Sequence, residues 1–253
     1  MDSIYDQALG YEIAFSYRDI PDEVDAVIRL SGLTPPSSVL ELAAGPAEHA
    51  IECARRGARA TALDLVAAMA ARATTNAAAA GVDLVTVTAD MRHFTGVEPV
   101  DLAFCMISSI SHVLSLDDMI AHLEAVRAAL RSGGVYVIEG SHPGDYIGVK
   151  TVSTSWDMER DGVAVHLDWG AESDTMDPVT QLTTVHVTLT MDGPDGAAHT
   201  FTSAEDDRFW TATEIRAAAR LAGLEVLGQY GDFDGRALDA EGAWRMITVL
   251  RKP

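Results

Sequence analysis

Lysine, cysteine and long apolar runs are all scarce in this sequence, and each shortage narrows what the protein can be. Lys150 and Lys252 are its only lysines, and Asp and Glu outnumber Lys and Arg by 38 to 18, a net charge of −20 with an isoelectric point near 4.5. A surface of that sign repels a polyanion and releases no counterions, so no nucleic-acid partner is expected and a small molecule is. The lysine shortage beside abundant alanine fits the bias of a GC-rich genome better than a salt-adapted surface. Cys53 and Cys105 fall inside apolar runs, which points to buried free thiols and a reducing compartment. No apolar run approaches the roughly 18 residues of a membrane span, and Met1-Asp2-Ser3 carries no basic leader. The expectation is a cytoplasmic protein without membrane contact, with a homodimer left open. A G-x-S-x-G elbow, a Walker lysine after Gly45 and paired histidines at ligand spacing are also missing. Their absence opposes an α/β-hydrolase, nucleotide hydrolysis and a metal site.

What is present is a chain of 253 residues, 48% hydrophobic, enough for one large domain carrying an insert. Residues 1–34 read as a helical cap, with Val24, Val27, Ile28 and Leu30 at helical spacing and a break at Pro35-Pro36. Residues 35–144 alternate strands (Val39–Leu42, Arg59–Asp64, Leu84–Thr88, Leu102–Met106, Val135–Glu139) with helices near 46–57, 66–79 and 117–130. That rhythm predicts an α/β fold, a Rossmann-like doubly wound parallel sheet with helices on both faces. Residues 145–210 change period: Val163–Trp169, Leu182–Met191 and Ala198–Trp210 alternate apolar with polar side chains, as an antiparallel β insert acting as a lid would. Residues 211–253 return to a helix, opened by the capping sequence Thr211-Ala212-Thr213-Glu214, and to strands Leu224–Gly228 and Trp244–Leu250 that complete the core sheet.

The most specific stretch is Val39 to Ala50, a strand, a turn of small residues and a helix, an arrangement that brings backbone N–H groups close to a ligand. Asp64 ends the next strand, where a carboxylate can accept both hydroxyls of a ribose, and Leu65 follows it. A dinucleotide fingerprint needs three glycines, and only Gly45 is present in this turn, beside Ala43. S-adenosylmethionine has no pyrophosphate and carries an ammonium that the Glu41 region could neutralise, so it is favoured over NAD.

The remaining strand ends supply further candidates. Asp90 and Met91 follow the third strand, placed to bond and pack against an adenine; the plainer reading of Asp90 is a helix cap. Met106, Ser108 and His112 follow the fourth, where the transferred group emerges, and His112 can orient the acceptor or take its proton. Glu139 and His142 follow the fifth, as second-choice bases or as loop-closing residues.

These motifs together resemble the class I S-adenosylmethionine-dependent methyltransferases, and within them small-molecule enzymes of the aminosugar N,N-dimethyltransferase and glycine/sarcosine N-methyltransferase type. The likeness covers most of residues 5–140 and rests on Leu40–Gly45, Asp64, Asp90-Met91-Arg92, Met106 with Ser108–His112, and Arg131–Gly134. It implies a seven-stranded sheet, transfer of a methyl group to a nitrogen or oxygen of a small molecule, tyrosines of the amino-terminal helices (Tyr5, Tyr11, Tyr17) closing over the cofactor, and Arg18 meeting the methionyl carboxylate. It also sets His112 near the acceptor. The sequence departs from the family at Ala47, where a glycine is usual, at Ala44, where a cysteine is common, and at Ser132, where proline is common. The insert does not match the aminosugar enzymes closely. A Rossmann-type oxidoreductase and a non-catalytic S-adenosylmethionine-binding protein are the alternative readings.

Overall fold

The computed structural model describes residues 3–142, 144, 153–193, 197–239, 243 and 245–253. The chain begins with a 3₁₀ turn (Ile4–Asp6), α1 (Ala8–Ala14) and α2 (Ile20–Ser31), then alternates β1 (Ser38–Leu42), α3 (Glu48–Arg55), β2 (Arg59–Asp64), α4 (Ala67–Ala80), β3 (Leu84–Thr88) and β4 (Val100–Cys105). A 3₁₀ turn (Ser109–His112), α5 (Leu116–Ala129) and β5 (Leu130–Ser141) follow. Then come β6 (Thr154–Arg160), β7 (Val163–Trp169), β8 (Leu182–Asp192), β9 (Ala198–Arg208), α6 (Ala212–Leu221), β10 (Glu225–Tyr230) and β11 (Arg245–Arg251).

Period-two patterning explains why the main sheet is covered on both faces. Leu40 and Leu42, Ala103 and Cys105, and Tyr136 and Ile138 point to one face, against Met119, Leu123 and Val126 of α5 and Ile215 and Ala218 of α6. Val39, Leu102 and Phe104, and Val135 and Val137 point to the other, against Val24 and Val27 of α2, Ala50 and Cys53 of α3 and Ala73 of α4. The sheet runs β10-β11-β5-β4-β1-β2-β3. β1 pairs in parallel with both β2 and β4, and β11 is antiparallel to β5 and β10. The strand order reverses at β1, so a crevice opens above the carboxyl ends of β1 and β4, the place where such sheets bind ligands.

The second sheet, β6-β7-β8-β9, is antiparallel throughout. Its apolar face, including Val165, Leu167, Val185, Val187 and Leu189, buries Ile4, Ile13, Ala14 and Phe15. The amino-terminal helices are therefore clamped between the second sheet and the crevice.

Two local expectations change. α2 ends at Gly32, whose φ of 68° forms a left-handed cap, before the prolines are reached. β6 is an additional strand that charged residues disguise in the sequence; Trp156 and Met158 alternate inward, and Asp161-Gly162, with φ of 54° and 77°, makes the two-residue hairpin to β7. Trp244, expected in the last strand, lies outside the described residues, as do most of the residues at the start of the insert. No helix among the described residues is long and apolar enough to cross a membrane.

Candidate active site

Three left-handed residues, Ala43 (φ 49°), Gly45 (φ 52°) and Ala47 (φ 62°), fold the turn after β1 tightly. Asp64 at the end of β2 locks it: its carboxylate accepts the Gly45 N–H at 2.7 Å and the Val66 N–H at 2.8 Å. Burial pushes the Asp64 carboxyl up despite those two donors, so the group is short of positive partners and suited to further hydroxyl donors. It opens into a cavity of about 340 Å³ whose walls include Tyr11, Ala43, Gly45, Leu65, Met69, Asp90 and Met91. Leu65 is 64% exposed there, an apolar side chain that a flat aromatic ligand would cover. Asp90 does not cap a helix; it binds its own Arg92 through both carboxylate oxygens, at 2.9 Å and 2.5 Å, and Arg92 holds its carboxyl below the usual range.

A second cavity, of about 540 Å³, lies beside the first, and Tyr5, Tyr11, Ser109 and His112 line both. Aromatic rings wall it: Phe15 lies 4.6 Å from Tyr11 and 5.6 Å from Trp156 between centroids, and Tyr17 lies 6.2 Å from Trp156. At the junction His112 Nδ1 is 3.1 Å from Asp207 Oδ1, and Nε2 is 2.9 Å from the Tyr5 hydroxyl. Burial alone would lower the His112 pKa, but the hydrogen bond and charge of Asp207, aided by Glu205, raise it above the ordinary value. Burial also raises the Tyr5 hydroxyl well above its ordinary value, so it stays protonated.

Several sequence candidates stand elsewhere. Glu41 is buried under the turn and does not line the first cavity; it bonds His49 at 3.2 Å and accepts the Ala50 N–H at 2.8 Å. The physical reason is α3, whose N-cap Ala47 has no capping side chain, so Glu41 satisfies an orphan N–H from below. Arg18 lines the second cavity instead of the first and is held by Glu23 and Glu139, each at 2.7 Å. Glu139 is no free base, since it also binds Arg245 at 2.7 Å and accepts the Ile107 N–H at 2.8 Å. That last bond secures Ile107 and Ser108, both at φ 55°, a costly conformation for a β-branched residue, so Glu139 fixes the loop that carries His112. Met106 is packed in the core with Leu102 and Phe104. Ser108 lines the second cavity and accepts from the Ser141 hydroxyl at 3.0 Å. His142 faces its own loop, taking the Gly144 N–H at 2.9 Å, and Tyr17 lines only the second cavity.

Asp207 was not expected at the site. Its signal was an acid on the buried phase of an alternating strand, 5% exposed. Among the described residues no group of three or more histidines, cysteines and acids could hold a metal.

Residues 39–134 match the model of a methyltransferase domain. That stretch, from β1 to the start of β5, is a methyltransferase domain by sequence. No curated protein matches its sequence, but solved structures share its fold over nearly the whole chain. An S-adenosylmethionine-dependent methyltransferase from Clostridium acetobutylicum superposes with a TM-score of 0.80 at 15% identity, covering 98% of this chain and 99% of that one. DesVI from Streptomyces venezuelae gives 0.76 at 21%, over 97% and 94%. CalS10 from Micromonospora echinaspora, an amino pentose methyltransferase solved with S-adenosylmethionine bound, gives 0.72 at 21%, over 100% and 98%. The cavity lined by Asp64, Leu65 and Met91 has the carboxylate acceptor and apolar walls that an adenosine requires.

Proposed function

We propose that the methyltransferase moves a methyl group from S-adenosylmethionine to the nitrogen of a small-molecule amine, in the cytoplasm. S-adenosylmethionine supplies an electrophilic methyl on a sulfonium. Asp64 would hold its ribose hydroxyls, Leu65 and Met91 would cover its adenine, and Asp90, Ala43, Gly45 and Tyr11 line the rest of that pocket. The observation that carries the reading is the Asp207–His112–Tyr5 chain at the junction of the two cavities. An amine enters as an ammonium, drawn by aromatic faces and by the acidic field of a chain of charge −20.

Before attack the nitrogen must lose a proton. The Tyr5 hydroxyl takes it while passing its own proton to Nε2 of neutral His112, and Asp207 holds the imidazolium that results. Alignment across the junction and exclusion of water by the aromatic walls supply the rest of the rate. Support for nitrogen over oxygen comes also from a fold neighbour described as a sugar N-methyltransferase. Incubating the full chain with methyl-labelled cofactor and panels of amines and phenols tests the proposal. Label is expected in amines; label in phenols alone, or in neither, overturns it.

A further inference from the structure

Behind the acceptor cavity lies a third chamber, of about 360 Å³, that the methyl-transfer chemistry does not use. The two are adjacent across one shared wall: Ser108, Ser111, Gly140, Ser141 and Phe209 line both. Deeper in, the walls are mostly apolar, with Ile110, Met176, Trp210, Ile215 and Met246 beside Gln181 and Thr211. Its one cation, Arg208, has its terminal nitrogens engaged, 3.2 Å from Glu214 and 3.3 Å from the Leu114 carbonyl, and its guanidinium 4.0 Å over the Trp210 ring; only the buried Nε lacks a partner. In the acceptor cavity Arg18 and Arg245 are likewise held by Glu139. A phosphorylated acceptor would have to break those pairs inside a strongly acidic protein, whereas an apolar group meets a surface ready to be covered.

Building on the proposed function, we infer that the acceptor is a two-part amine, its nitrogen at the Tyr5–His112 junction and an aryl or branched alkyl group seated in the chamber behind Phe209. The seat recognises the acceptor's apolar half, and the aromatic cavity recognises its charge. A polar aminosugar, with hydroxyls on every face, leaves that chamber uncovered and lacks the contacts that would position its nitrogen.

The test compares 3-phenylpropylamine, glucosamine and glucosamine 6-phosphate as acceptors for the full chain with S-adenosylmethionine. At least a tenfold higher kcat/KM is expected for phenylpropylamine. Transfer that favours either sugar overturns the inference but leaves the proposed function standing. Two variants localise the seat. Met176→Trp is half-exposed and tolerates bulk, and Gly140→Ala adds a methyl in ordinary contact with Ile110 at 3.6 Å and Met246 at 3.9 Å. Each should lower kcat/KM for phenylpropylamine, relative to ethylamine, by at least fivefold, and equal loss for the two amines argues against the seat. Calorimetric binding of phenylpropylamine to the protein loaded with S-adenosylhomocysteine gives a readout without turnover. If no amine is methylated, the proposed function fails, yet binding weakened by Met176→Trp still supports the seat and unaltered or absent binding overturns it.

Discussion

His112 and Asp207 come from a 3₁₀ turn and from the second sheet, ninety-five residues apart in the chain by their numbers, and their 3.1 Å approach sets the pH behaviour of the site. Asp207 raises the His112 pKa against the effect of burial, so the neutral form that the proposed proton transfer requires is reached at a higher pH than for an ordinary histidine. Activity is therefore expected to rise with pH through that shifted value and to fall as pH drops below it. Asp207→Asn removes the charge; the acid limb of the kcat profile should move to lower pH while kcat falls about tenfold or more. His112→Ala should cut kcat by at least about tenfold at nearly constant cofactor affinity, which calorimetry and turnover measured together would check. Asp64 belongs to the other cavity. Asp64→Ala should weaken S-adenosylmethionine binding at least roughly tenfold, about 1.4 kcal/mol; equal affinity in calorimetry would contradict the ribose contact.

At the scale of elements, the start of α3 shows how the chain manages without the usual glycine. Ala47 is fully buried at φ 62°, a conformation that costs an alanine about 1–2 kcal/mol. Burying its methyl returns about 0.8 kcal/mol, and glycine would add unfolded-state entropy. Ala47→Gly is expected to change stability by no more than about 1 kcal/mol in thermal unfolding, with cofactor affinity preserved. A larger loss would make the methyl a required wedge. The strand boundaries were legible here because period-two patterning survives burial on both faces; β2 (Arg59–Asp64) and β3 (Leu84–Thr88) stand where their alternation places them. The Thr211-Glu214 capping box was legible too, since both of its hydrogen bonds are local. β6 was not, because its outward face carries Asp157, Glu159 and Ser155 and its pairing with β7 is visible only through the Asp161-Gly162 turn.

Across the whole molecule a buried line of alternating charges joins the two ends of the site: Glu41, His49, Glu23, Arg18, Glu139 and Arg245. Burial would lower the His49 pKa, but hydrogen bonds and charges of Glu23 and Glu41 raise it from 6.5 to about 9. A histidine pKa raised on folding contributes stability that is fully present below pH 6.5 and is lost as pH climbs through about 9, on the order of 3 kcal/mol. Urea unfolding should show that decline. His49→Gln should cost about 3 kcal/mol at pH 7 and flatten it, because two carboxylates are left buried without their cation. None of this line could be read from the sequence, where Glu23, Glu41 and Glu139 lie far apart. The same holds for Arg18 and Glu41, whose partners come from other elements and turn them away from the cavity beside Asp64. What the sequence alone determined was the sheet, its covering helices, the turn at Gly45 and the acid at Asp64, because each depends on neighbours within a few residues or on a repeating period. What only the tertiary structure decided was which polar side chains face a cavity and which neutralise one another, because buried charges settle with whatever partner the packing of distant elements brings within 3 Å or so.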